Sequence, residues 1–174
     1  MNIKTEITKI HYNKEAKGIL VKLLEFASLF YGIGSGLKNK LYDKEIIKPK
    51  KVDAYIICVG NITTGGVGKT PVVSQIAKYF VEKGEKTAII SRGYGGELSN
   101  KNINVISDGK TIYYNAKLAG DEPFWLAENT KGALVLTSKS RYKAAKLAVE
   151  KYGVTKIILD DGFQHRKLHR DLDI

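Results

Sequence analysis

Residues 55–81, YIICVGNITTGGVGKTPVVSQIAKYFV, restrict this chain more than any other stretch. Residues 54–59 are short, apolar and rich in β-branched and aromatic side chains, the composition of a buried strand. Four glycines follow between positions 60 and 68, letting backbone N–H groups turn inward on an anion. Lys69 and Thr70 then open a helix. Pro71 is tolerated in its first turn, where a missing N–H would have had no partner. Val72, Val73, Ile76, Ala77, Phe80 and Val81 recur at helical spacing up to a stop at Gly84. Strand, glycine loop and helix in that order predict a phosphate cradle, with the positive end of the helix aimed at the loop. In such a cradle the amides of Thr63, Thr64, Gly65, Gly66, Val67 and Gly68 hold the phosphates of ATP. Lys69 reaches the β- and γ-phosphates, and the Thr70 hydroxyl coordinates Mg²⁺. The pattern GxxxxGK[ST] is not met in full, because Thr63 occupies its first glycine position, and a glycine-rich turn with no ligand is the competing reading.

The chain of 174 residues, 43% of them hydrophobic, is long enough for one ordinary domain with a real core, neither disordered nor fibrous. Its formal net charge is +11, and residues 1–51 hold 11 lysines against five acids. That bias suits an anionic partner such as a lipid headgroup, a phosphorylated substrate or nucleic acid, although a solvated lysine-rich surface reads the same way. Cys58 is the only cysteine and falls in the expected strand, so neither a disulfide framework nor a zinc cluster is expected, in keeping with a reducing cytoplasm. No signal peptide or spanning helix is recognisable, since Lys22 and Glu25 interrupt the longest apolar stretch.

Residues 1–51 read as a basic amphipathic, membrane-proximal segment and residues 52–174 as a nucleotide-binding domain. Ile19, Leu20, Leu23, Leu24, Ala27, Phe30 and Tyr31 line one side of a helix that Gly32, Gly34 and Gly36 are expected to interrupt, with a second short piece around Leu37 to follow. Such a segment can lie in a bilayer interface or pack on its own domain. After the first helix, residues 86–91 predict a second buried strand, joined to the first by a parallel crossover, so the class is α/β with a parallel sheet. That strand runs into Ser91-Arg92-Gly93-Tyr94-Gly95-Gly96, at the end where ligands of such sheets gather, and Arg92 can neutralise phosphate there. Asp108-Gly109 signals a hairpin between residues 103–106 and 111–114. Asp121 stands where the N-cap of a helix over about 124–129 would sit. Residues 133–137 predict a strand, 141–150 a helix and 156–159 a strand. The last strand ends in Asp160-Asp161-Gly162-Phe163-Gln164-His165.

An apolar strand that ends in acid supplies the second half of a nucleotide site, its carboxylate helping to hold the Mg²⁺ shell. Alternation along a strand sends Asp160 and Asp161 in different directions, so only one of the two, either Asp160 or Asp161, is expected to touch the metal shell. His165 and His169 are too far from any cysteine for a zinc site, and His165 suits a hydrogen bond near the phosphates.

Four stretches taken together, VGNITTGGVGKTP at 59–71, SRGYGG at 91–96, GDEP at 120–123 and LDDGFQHRKLHRDLDI at 159–174, closely resemble the tetraacyldisaccharide 4'-kinases of lipid A synthesis. The resemblance runs from about Ile19 to the last residue. It implies a P-loop α/β domain followed by a smaller α/β lobe, and peripheral attachment to the cytoplasmic face of the bacterial inner membrane. It implies transfer of the ATP γ-phosphate to the 4'-hydroxyl of a tetraacyl-disaccharide 1-phosphate, with an anionic membrane surface as partner and no nucleic acid. Gly65, Gly66, Gly68, Lys69 and Thr70 match the nucleotide loop of that family, which does not require a glycine at the position of Thr63. Asp160 and Asp161 match its Mg²⁺-associated pair, and Asp121 matches the acid that activates the acceptor hydroxyl. Arg92, Arg141, Gln164 and His165 match further active-site positions. Members of the family are nearly twice this length, so the second lobe is expected to be missing here and the chain to be an incomplete copy. Two other readings stay open: a membrane-associated ATPase switch, which would carry a lysine at the position of Thr64, and a module that binds ATP without catalysis.

Overall fold

The computed structural model describes residues 19–44, 46–61, 68–100 and 103–174. The chain divides into two compact units, Met1–Lys48 and Pro49–Ile174. In the first, helix α1 (Ile19–Asp43) runs unbroken through Gly32, Gly34 and Gly36, where an interruption was expected. Glycine lowers helix propensity but keeps both backbone hydrogen-bonding groups, so the ladder continues, and no proline falls within the segment. A methyl group built on any of the three glycines meets nothing within 4 Å. Phe26, Leu29, Phe30, Ile33 and Leu37 stand 59–62% exposed at helical spacing along α1. The side chains of Ile19, Leu20, Leu23, Leu24 and Tyr31, assigned to the apolar side from the sequence, lie outside the described residues.

The second unit is built on a six-stranded sheet. Its strands are β1 (Tyr55–Val59), β2 (Thr87–Ser91), β3 (Ile103–Ser107), β4 (Leu134–Ser138), β5 (Lys156–Asp160) and β6 (Leu172–Asp173), in the spatial order β3-β4-β2-β5-β1-β6. All neighbours are parallel except β3 and β4. Between the strands lie α2 (Lys69–Glu82), α3 (Ala116–Ala119), α4 (Asp121–Asn129) and α5 (Arg141–Tyr152). Both sheet faces are covered, which is why the central strands read as unbroken apolar runs rather than alternating ones. Ala88, Ile90, Leu134, Leu136, Ile157 and Leu159 pack with Ala144, Ala145 and Ala148 of α5. Ile89, Val135 and Ile158 pack on the opposite face with Val73 and Ala77 of α2 and Leu126 of α4.

Two local expectations change. The Asp108 turn forms, its Oδ1 accepting from the N–H groups of Lys110 and Thr111, but the hairpin reduces to a single bridge between Ser107 and Ile112. β3 takes β4 as its antiparallel partner instead, because that pairing buries Asn104 and Ile106 at the sheet edge. Helix α4 begins at Asp121 with Gly120 as its N-cap, so Asp121 is a first-turn residue and not the cap.

Candidate functional site

The sheet order brings the distant parts together. β1 and β2 are consecutive in sequence, yet β5 lies between them, with Asp160 in register beside Val59 and Leu159 beside Ile90. The loop after β1, the loop after β2 and the acid at the end of β5 therefore leave the same edge of the sheet, side by side. Strand alternation puts Asp160 on the same face as Ile158, the face covered by α2 and α4. Asp161 follows in the left-handed region at φ 55° and points to solvent.

Thr63, Thr64, Gly65, Gly66 and Val67 lie outside the described residues; the cradle is described from Gly68 onward. Gly68 is the N-cap of α2 in the left-handed region, φ 77°, a conformation that admits glycine at little cost. Lys69 and Thr70 are the first two helical residues. Lys69 Nζ donates to Asn61 Oδ1 at 2.7 Å and stands 3.6 Å from Asp161 Oδ1. One lysine thus ties the loop after β1 to the loop after β5.

Asp160 is 3% exposed. Burial, with Glu122 and Asp161 adding repulsion, pushes its carboxyl up to about 6, while Lys69 and Arg141 pull the other way. Arg141 is equally buried; its guanidinium donates to the Ser138 and Asp160 carbonyls, while its Nε has no partner. Desolvation brings Arg141 down to about 10, with Asp160 supporting its charge and Arg92 opposing it, so it stays a cation at neutral pH. Arg92 itself is exposed immediately after β2. The Arg92 loop packs tightly on the start of α4: a methyl group on Gly96 would fall 2.5 Å from the Ala119 carbonyl carbon, and one on Gly120 would fall 2.8 Å from the Tyr94 carbonyl oxygen.

Thr70 and Asp121 line one open cleft of about 350 Å³ together with Pro71, Glu122 and Trp125. His165 is half-buried in the turn after β5, where its N–H donates to the Gly162 carbonyl. That turn is held by Arg170, which donates to the carbonyls of Gly162 and Phe163 and pairs with Asp173 at 3.0 Å. Asn61, Glu122 and Trp125 are site residues that the sequence reading passed over. Trp125 was findable, since it sits four residues after Asp121 and so on the same side of a helix.

Hard oxygen donors gather here: the Thr70 hydroxyl, the buried Asp160 and the exposed Asp161. Among the described residues no three His, Cys, Asp or Glu side chains form a metal cage. A Mg²⁺ shared with phosphate oxygens needs only one or two carboxylates, so the donor set fits that ion.

A family model described as tetraacyldisaccharide-1-P 4'-kinase matches residues 20–174. The chain is 43% identical over 152 residues to the tetraacyldisaccharide 4'-kinase of Syntrophus aciditrophicus, covering 87% of this chain and 40% of that one. It is 47% identical over 148 residues to that of Desulfotalea psychrophila, covering 85% and 42%. A crystal structure of LpxK from Aquifex aeolicus in complex with ATP superposes with a TM-score of 0.75 at 40% identity, over 88% of this chain and 47% of that one. The chain spans less than half the length of these relatives.

Proposed function

The chain belongs to the tetraacyldisaccharide-1-P 4'-kinase family, and we propose that it carries the ATP site for transfer of the γ-phosphate to the 4'-hydroxyl of a tetraacyl-disaccharide 1-phosphate. The product is the bis-phosphorylated lipid IVA precursor of lipid A biosynthesis. The observation that carries this reading is one cleft shared by Thr70, from the first turn of the phosphate-loop helix, and Asp121, a carboxylate released from capping. A phosphate donor and a hydroxyl acceptor would meet there.

In this reading the amides of residues 63–68 and the N-terminus of α2 hold the nucleotide phosphates, and Lys69 exchanges Asn61 and Asp161 for β- and γ-phosphate oxygens. Thr70 with Asp160 or Asp161 would hold Mg²⁺, which would supply charge stabilisation for the transferring phosphate. Asp121 accepts the proton of the 4'-hydroxyl as its oxygen bonds to the γ-phosphorus and the bond to the β-phosphate oxygen breaks, releasing ADP. Arg92 and Arg141 add positive charge at the edge where the transferring group sits, and His165 hydrogen-bonds near the phosphates. Positioning and charge do most of the work, since this kind of transfer asks little covalent chemistry of the protein. The exposed apolar stripe of α1 supports peripheral binding at the cytoplasmic face of the inner membrane, within reach of a lipid acceptor. No helix among the described residues is long and apolar enough to cross a membrane.

The test combines Mg-ATP binding with transfer of labelled γ-phosphate to tetraacyl-disaccharide 1-phosphate by the protein that contains this chain. Labelled 4'-phosphorylated product supports the reading. Mg-ATP stabilisation with no product from any longer form would favour a binding module, and ATP-dependent dimerisation would favour a switch.

A further inference from the structure

The cleft beside Thr70 has a mostly apolar wall, which nucleotide phosphates would not use. Its largest side chain is Trp125, 39% exposed although its chain neighbours Leu126 and Ala127 are buried. An indole left that open, facing a cleft and not a core, presents a flat apolar surface to whatever enters. Trp125 follows Asp121 by four residues on α4, so both lie on one side of that helix, about 6 Å apart along its axis. That span is the width of a single sugar ring. The cleft, about 350 Å³, is at the small end of ligand sites: room for a ring and its nearest substituents, not for a disaccharide with four acyl chains.

We propose that Trp125 is the platform for the acceptor sugar: the ring that bears the reacting hydroxyl lays its C–H face on the indole, which turns that hydroxyl toward Asp121 and the phosphate side of Thr70. The proposal rests on the kinase reading and adds the residue that selects and orients the acceptor. Glu122, on the same rim, is placed to accept a hydrogen bond from a neighbouring hydroxyl or amide of the ring.

Trp125 is the only tryptophan of the chain, so its emission reports this cleft alone. The 174-residue chain would be titrated with a fully deacylated disaccharide 1-phosphate, with decanoate as an acyl-chain mimic, and separately with Mg-ATP in a thermal-shift measurement. We expect the deacylated sugar to shift the indole emission and decanoate to leave it unchanged. By calorimetry Trp125→Ala should weaken sugar binding about tenfold, while Trp125→Phe stays near wild type, as for loss and retention of an aromatic contact. Both variants should keep the Mg-ATP stabilisation of the wild type. Emission unmoved by the sugar, emission moved by decanoate instead, or wild-type sugar affinity in Trp125→Ala would each overturn the platform. Absence of Mg-ATP stabilisation in the wild type would instead overturn the kinase reading, whatever the indole reports.

Discussion

Asp160 stands in register beside Val59, on the strand that separates β1 from β2. That pairing puts a buried acid next to the end of β1, close enough to Glu122 and Asp161 to feel their charge. Three acids crowded at one strand end are unfavourable unless a cation answers them. Lys69 and Arg141 answer in part, leaving Asp160 pushed up to about 6.

Replacing Asp160 by Asn should therefore stabilise the nucleotide-free protein and, where Asp160 rather than Asp161 is the acid that holds Mg²⁺, weaken the effect of Mg²⁺ on ATP binding. The folded carboxyl titrates near 6 and the unfolded one near its ordinary 3.8, so the folded state binds the proton more tightly. This contribution to stability is complete below about 3.8 and is lost as pH rises through about 6, an effect on the order of 3 kcal/mol. Thermal denaturation between pH 4 and 8 should show Asp160→Asn more stable than wild type at pH 8, with a flatter pH profile. Mg²⁺ should strengthen ATP binding by the wild type above pH 6 and have little effect on the variant. An unchanged pH slope would remove the buried acid from the account.

Asp121 offers a contrast between structure and chemistry. Because Gly120 is the N-cap, Asp121→Asn gives up only a carboxylate in the first turn, worth about 0.3–1 kcal/mol of stability. Turnover should fall about a hundredfold or more if the carboxylate takes the acceptor proton. Chemical denaturation of the variant and labelled-phosphate transfer by the active protein containing this chain separate the two effects. Unaltered turnover would return Asp121 to a helix-end role.

Most of the elements around the site are legible in the sequence because each is marked twice, by apolar periodicity and by glycine or proline punctuation. β1, α2 and β5 come out within a residue or two of their expected limits. What resists reading is partnership. Nothing local to residues 156–160 says that they insert between β1 and β2, yet that insertion places Asp160 beside the loop. The Asp108 turn satisfies its own backbone and so reads as a hairpin, while β3 finds β4 across the sheet edge. In α1 the three glycines weaken propensity without removing a hydrogen bond, and the helix passes through them. The spacing of Trp125 from Asp121 is legible along the helix, but the cleft it shares with Thr70, more than fifty positions earlier, is not.

Gly60 makes the link between the two loops testable. A methyl group there would fall 2.5 Å from the Phe163 ring, and Phe163 belongs to the same stretch after β5 as Asp161 and His165. Gly60→Ala should displace Phe163 and destabilise the protein by about 1–3 kcal/mol, the usual cost of overpacking. Mg-ATP affinity should drop with it, because the displaced turn carries Asp161, a candidate Mg²⁺ ligand, away from the phosphate side of the site. The double variant Gly60→Ala, Phe163→Leu should recover much of the stability in denaturant titrations. If it recovers none, the close approach of Gly60 to the ring is not what the glycine is there for.

Along α1, Phe26, Leu29, Phe30, Ile33 and Leu37 form an apolar stripe in water, with Phe26 and Phe30 edge to face at 4.8 Å. In sequence, the first 51 residues carry an excess of six positive charges. An apolar stripe and a basic surround are the two halves of interfacial binding: insertion into the acyl boundary, and attraction to anionic headgroups screened within a Debye length. The chain should co-sediment with vesicles containing about 30% anionic lipid and lose most of that binding between about 50 mM and about 500 mM salt. Changing Phe26, Phe30 and Ile33 together to Ser should abolish sedimentation at any salt concentration while leaving Mg-ATP stabilisation intact, since none of the three belongs to the unit that carries Lys69 and Asp160. Binding that survives the triple change, or that ignores salt, would take the membrane contact away from this helix.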